Sequence, residues 1–193
     1  MKTPMSTSDV LVWLDLETPG LDPRNPKWQP LELGLRVTDG LGEVTLNSSS
    51  WLIQPKIDEE ELYASVDEYV EKMHTDNNLW IDAMDKGHWI KNVEEDAIEW
   101  LEKNSLSSGV IPMSGANVRF DRNWVEVHMP KLNDWFHYRP GADVSSLREV
   151  CKLVNKPVHD AMPKVSKNHR VTDCLDGAVE QYKFMVDNFF FVA

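Results

Sequence analysis

Cysteine is nearly absent from this chain. Only Cys151 and Cys174 occur in 193 residues, which excludes a disulfide framework and a Cys-rich zinc module. Long apolar runs are also missing, so no segment approaches the roughly 18 residues of a membrane span. The start, MKTPMSTSD, carries one Lys and no apolar stretch before Asp9, which is not the pattern of a secretory signal. These features point to a reducing, cytoplasmic setting. Positive charge is scarce as well: 20 Lys and Arg against 32 Asp and Glu leave a net charge of −12. Long DNA or RNA is held by neutralising many phosphates from a basic face. A nucleic-acid substrate of this chain should therefore be short, or screened from it by cations. Solubility is the alternative meaning of an acidic surface.

What is present reads as an α/β pattern. Val10–Leu16 is a short apolar run rich in β-formers and predicts a buried strand. Thr18-Pro19-Gly20 stops it, and the prolines of Leu21–Pro30 mark a loop. Leu31–Thr38 alternates apolar and polar residues, Gly40–Gly42 turns, and Val44–Gln54 predicts a third strand. Leu62, Val66, Tyr69, Val70 and Met73 then recur at helical spacing behind the acidic run Asp58–Glu61. Asn92-Val93-Glu94-Glu95 resembles a capping box ahead of Ala97, Trp100 and Leu101. Val110–Ser114 predicts a strand, Phe120–His128 a helix, Trp135–Tyr138 a strand, and Ser146-x-x-Glu149 another capped helix. The last helix is expected from Asn168 or His169 through Val186. Strands followed by alternating helices and strands predict one α/β domain over residues 1–193, with a tail at residues 1–8.

The chemistry is carried by acids. Asp15 and Glu17 stand two apart at the end of the first strand and project to one face, away from Leu14 and Leu16. Like charges raise each other's cost of ionisation, so a cation would relieve them; the bland alternative is that both reach solvent. Asp121 follows Asn117 and a strand, where a first-turn helix acid is the ordinary role. His169 and Asp173, four residues apart, share a face if both are helical, and a structural ion pair is their bland alternative.

Taken in order, Asp15-x-Glu17, Asn117-x-x-x-Asp121 and His169 with a following Asp resemble the three motifs of the DEDD exonuclease superfamily. Trp13–Pro23, Met73-His74-Thr75 and Met129–Leu147 sharpen the resemblance to oligoribonucleases along essentially the whole chain. The resemblance implies a ribonuclease-H-like α/β fold with a five-stranded mixed sheet flanked by helices. It also implies 3′-to-5′ removal of nucleotides from short single-stranded RNA by a homodimer. Two divalent ions, Mg²⁺ or Mn²⁺, would lie on Asp15, Glu17, Asp121 and Asp173, as hard oxygen ligands suit them. His169, whose type titrates near neutrality, would take a proton from the attacking water. Leu21, Tyr69, His74 and Asn117 correspond to substrate contacts, with Tyr138 and Arg139 reaching the partner subunit's site or the 5′-phosphate.

Two positions depart from the family pattern. The aspartate normally five residues after the histidine is Cys174 here, so either Asp173 supplies the fourth ligand or that ligand is lost. Phe120 replaces a polar residue, which broadens the expected substrates to single-stranded DNA. A catalytically weakened nucleic-acid-binding relative is the alternative from another class. Tyr69 lies on the apolar stripe of its helix and could equally belong to the core.

Overall fold

The computed structural model describes residues 10–166 and 168–190. The tail expected at residues 1–8 lies outside them. The strands are β1 (Val10–Glu17), β2 (Glu32–Asp39), β3 (Thr45–Leu52) and β4 (Met113–Ser114). The helices are α1 (Glu59–Tyr63), α2 (Glu68–Asp76), α3 (Leu79–Lys86), α4 (Ile90–Lys103), α5 (Val118–His128), α6 (Pro130–Trp135), α7 (Val144–Val154), α8 (Lys156–Asp160) and α9 (Val171–Met185). A π-helical turn, Val186–Phe190, extends α9.

Strand order is β3-β2-β1-β4. β1 pairs antiparallel with β2 and parallel with β4, so the sheet is mixed as expected. It has four strands among the described residues, not five. The segment expected as a strand at Trp135–Tyr138 makes only an isolated bridge, Pro112 with His137. Two causes are visible. Pro112 and Pro140 lack the N–H that a ladder needs, and Trp135 is claimed by α6. That helix starts with Pro130, and the Glu94 carboxylate accepts from Lys131 N (2.7 Å) and Leu132 N (3.1 Å). The capping box expected at Asn92 does not form, because Asn92 lies inside α4 rather than at its N-cap. α4 starts earlier, after Trp89.

Other boundaries moved for similar local reasons. The long helix expected through Leu62–Met73 is two helices, because Asp67 accepts from Tyr69 N and begins a new one. Asp143, not Ser146, caps α7 by accepting from Ser146 N. The last helix starts at Val171 rather than at Asn168 or His169.

β1 is buried on both faces, and its alternation sorts the molecule into layers. Val12, Leu14 and Leu16 pack with Val93, Ala97, Leu101, Trp124 and Val125 of α4 and α5. Trp13 faces the other way, into Leu175, Ala178 and Val179 of α9, and its indole N–H donates to Thr38 Oγ1 at 2.9 Å. Asp15 and Glu17 share the Trp13 side, so they point towards the start of α9. Gly34 of β2, the register partner of Asp15, decides how close α9 can come. A Cβ there would lie 2.8 Å from Val171 Cβ and 2.9 Å from Leu175 Cδ1. Overpacking of this kind costs about 1–3 kcal/mol. Gly34→Ala is accordingly expected to lower Tm by several degrees in a thermal unfolding scan, since each kcal/mol is worth ~2–4 °C at this size. An unchanged Tm would show that α9 is not held by this contact.

Candidate active site

Three carboxylates converge at the end of β1. Asp15 and Glu17 extend from the strand itself. Asp121, in the first turn of α5, is only 3% exposed and its Oδ1 accepts from Leu16 N at 3.1 Å. Gly115, between β4 and α5, allows this approach: a Cβ there would meet the Leu14 carbonyl at 2.8 Å. The alternative readings, solvent for Asp15 and Glu17 and a simple helix acid for Asp121, do not describe these positions. Glu17 is buried, and the buried Asp15 Oδ2 has no hydrogen-bond partner among the described residues.

Burial makes their charges costly. Burial holds the Asp15 carboxyl well above its ordinary range, and the charges of Asp121, Glu17 and Glu32 add to this. Burial likewise pushes Glu17 up to about 7, opposed by the Cys174 thiol and by Arg170, with Glu32 adding to the rise. Asp121 is pushed up to about 8, again chiefly by burial, against the stabilising Leu16 N–H. Carboxyl groups that resist ionisation together, one with an orphaned oxygen, form a donor set that fits divalent cations.

Helix register decides which of the two candidates for the fourth ligand faces the carboxylates. Cys174 on α9 donates its thiol to Glu17 Oε1 at 3.4 Å, and Glu17, His169 and Cys174 bring donor atoms within 4.8 Å of one another. Asp173 is turned aside, its Oδ2 accepting from Asn168 Nδ2 at 2.6 Å. The two residues are adjacent on α9, one step of about 100° apart, so both cannot face the same point. Burial together with the charges of Asp15 and Glu17 raises the Cys174 thiol far above its ordinary range.

His169 does not share a helical face with Asp173. It precedes α9 in a left-handed conformation, φ 50°, which costs a non-glycine residue about 1–3 kcal/mol. Six hydrogen bonds hold it there. Asn77 Nδ2 donates to the Asn168 and His169 carbonyls, both at 2.7 Å. Arg170 grips Glu32 through two 3.0 Å bonds and Asp82 through one of 2.9 Å. Glu32 also accepts from Val171 N. Sequence reading missed Asn77, Glu32 and Arg170 as positioning residues. Glu32 inside the apolar run LELGL was the one available signal.

The carboxylates floor a cleft of about 880 Å³ whose walls include Leu21, Trp28, Tyr69, Met73, Asn117 and Phe120. Tyr69 is 67% exposed, so it belongs to this wall and not to the core. His74 is corrected in the opposite sense. It is fully buried, its Nε2 pairs with the Thr18 carbonyl at 3.1 Å, and its ring stands edge-on to Trp80. It supports the loop after β1 and is not among the residues that line the cleft. Tyr138 and Arg139 lie outside the cleft, with Arg139 Nε donating to Tyr138 Oη at 2.9 Å and Tyr138 beside the far flank of α5.

Comparison with known proteins adds to this geometry. No protein-family model matches the chain. The chain is 33% identical over 191 residues to an oligoribonuclease of Vibrio parahaemolyticus, covering 96% of this chain and 99% of that one. Its fold is similar to that of cell-death related nuclease 4, with a TM-score of 0.68 and 13% identity, over 93% of this chain and 64% of that one. It is similar also to the nuclease domain of 3′hExo, a DEDDh family member solved bound to rAMP, with a TM-score of 0.64 and 12% identity, over 94% and 93%.

Proposed function

Because the chain belongs to the oligoribonuclease family, we propose that it is a 3′-to-5′ exoribonuclease degrading short oligoribonucleotides to nucleoside 5′-monophosphates. The convergence of Asp15, Glu17 and Asp121 on the floor of an apolar-walled cleft carries this reading. Asp15, Glu17 and Asp121 would hold Mg²⁺ or Mn²⁺, two ions being expected. When bound, such ions polarise a phosphodiester and lower the pKa of water.

The remaining roles belong to the protein. His169, gathered beside Glu17, accepts the proton of the attacking water. Leu21, Tyr69 and Phe120 offer faces against which bases wedge or stack, a contact that tolerates any base. Asn117 lines the cleft, where its amide could hydrogen-bond a sugar or phosphate oxygen. The net charge of −12 suits a substrate gripped by ions and a few side chains rather than a long polyanion held along a basic face. Tyr138 and Arg139, remote from the cleft of their own chain, serve this reading if the protein is a homodimer and they complete the partner's site. The coverage of 96% and 99% supports a single exonuclease domain, and an uncrosslinked Cys174 at the site suits the cytoplasm. No helix among the described residues is long and apolar enough to cross a membrane.

Phe120 in the cleft wall favours a second reading, a broader exonuclease on RNA and single-stranded DNA, because a phenyl face makes no test of the 2′-hydroxyl. One assay separates these readings from a weakened binding protein. End-labelled RNA dinucleotides, pentanucleotides and long single strands, with matched DNA, are incubated with protein and Mg²⁺ or Mn²⁺. Metal-dependent cleavage fastest on the RNA dinucleotide is the expected result. Equal rates on RNA and DNA of every length would favour the broader enzyme, and binding without turnover would end the enzymatic reading.

A further inference from the structure

The donors at the end of β1 are not all hard oxygens. Glu17, His169 and Cys174 offer a carboxylate, an imidazole and a thiol whose ligating atoms lie within 4.8 Å of one another. The Glu17 Oε1 to Cys174 Sγ separation is 3.4 Å. The buried Oδ2 of Asp15, without a hydrogen-bond partner among the described residues, is an independent sign of a cation site at the same place. Thiolate and imidazole ligands select zinc-like ions, while Mg²⁺ avoids sulfur. An open zinc site uses three protein ligands at roughly 2.0–2.3 Å and leaves one position for solvent or substrate. Binding would have to draw the three donors together from this spacing to such distances.

We propose that Glu17, His169 and Cys174 form a mixed-donor site for a thiophilic divalent cation, Zn²⁺ or Co²⁺ by class, which competes with Mg²⁺ for this end of the carboxylate cluster. Coordination forms a metal–sulfur bond and displaces the thiol proton to water, since a coordinating thiol is deprotonated outright. Asp173, engaged with Asn168, takes no part. The inference rests on the cluster being a metal site, but not on RNA being the substrate.

The test is a Co²⁺ titration of the metal-free protein without nucleic acid, followed by absorption. The wild type should develop a sulfur-to-cobalt charge-transfer band that saturates at a single equivalent and is discharged by Zn²⁺. Cys151→Ser, which alters the buried cysteine bonded to the Asn155 carbonyl, should keep the band. Cys174→Ser and Cys174→Asp should lose it. Both variants should bind Zn²⁺ more weakly by more than the roughly 10–100-fold that losing an outer-shell partner costs, and Cys174→Asp should gain Mg²⁺ affinity. A wild type without the band, or a full band in Cys174→Ser, would overturn the site. Because the readout is spectroscopic, an inactive enzyme on RNA leaves the result unaffected, and the two failures are told apart.

Discussion

Asp15→Asn is expected to reduce dinucleotide hydrolysis by at least about 10³-fold while raising the Tm of the metal-free protein. The two effects share one cause. Asp15 is surrounded by Asp121, Glu17 and Glu32 and its Oδ2 is buried without a partner, so its charge destabilises the empty fold. An amide of the same shape removes that cost and loses the cation with it. Transition-state stabilisation by a bound divalent ion is worth several kcal/mol, and each 1.36 kcal/mol is tenfold in rate, which sets the ~10³. Sites kept for activity at the expense of stability behave this way. Turnover of a labelled dinucleotide and a thermal scan of the same preparation measure both arms. A variant as active as the wild type would sink the metal assignment, and an active-site loss with a lowered Tm would mean that Asp15 is mainly structural.

The second large effect is on pH. Glu17 is raised from 4.5 to about 7 and Asp121 from 3.8 to about 8. The native state therefore holds protons that the unfolded chain gives up sooner. Stability from these groups is complete below about pH 4 and is lost as pH rises through their folded values. For Glu17 alone the difference is about 3 kcal/mol at 1.36 kcal/mol per unit. At ~2–4 °C per kcal/mol, Glu17 alone should cost the metal-free protein on the order of 5–10 °C of Tm between pH 5 and pH 8, and Asp121 adds to that loss. Saturating Mg²⁺ should flatten the profile, raising Tm more at pH 8 than at pH 5, because the cation binds the ionised form. A Tm that rises with pH, or a Mg²⁺ increment equal at both ends, contradicts the buried-charge account.

How much of this was written in the order of residues depends on range. Alternation in VLVWLDLE placed Leu14 and Leu16 opposite Asp15 and Glu17, because strand geometry alone decides it. Asp121 could be grouped with them only through resemblance, since nothing local says that its carboxylate meets Leu16 N across 105 residues. The fifth strand failed because a side chain from α4 caps α6, a tertiary claim on Trp135 that no local propensity reveals. Asp173 against Cys174 was a matter of one helical step. The fold turns Cys174 to Glu17 and Asp173 to Asn168, a difference that spacing alone does not reveal. His74 misled for the opposite reason: a histidine at the expected position can serve as a hidden strut as well as a contact.

The left-handed turn at His169 has a mechanical consequence. A peptide bent against its preference is a loaded spring, kept shut by Asn77 on one side and by the Arg170 clasp on the other. Cutting either tether would let that strain relax and the imidazole drift, without touching the reacting groups.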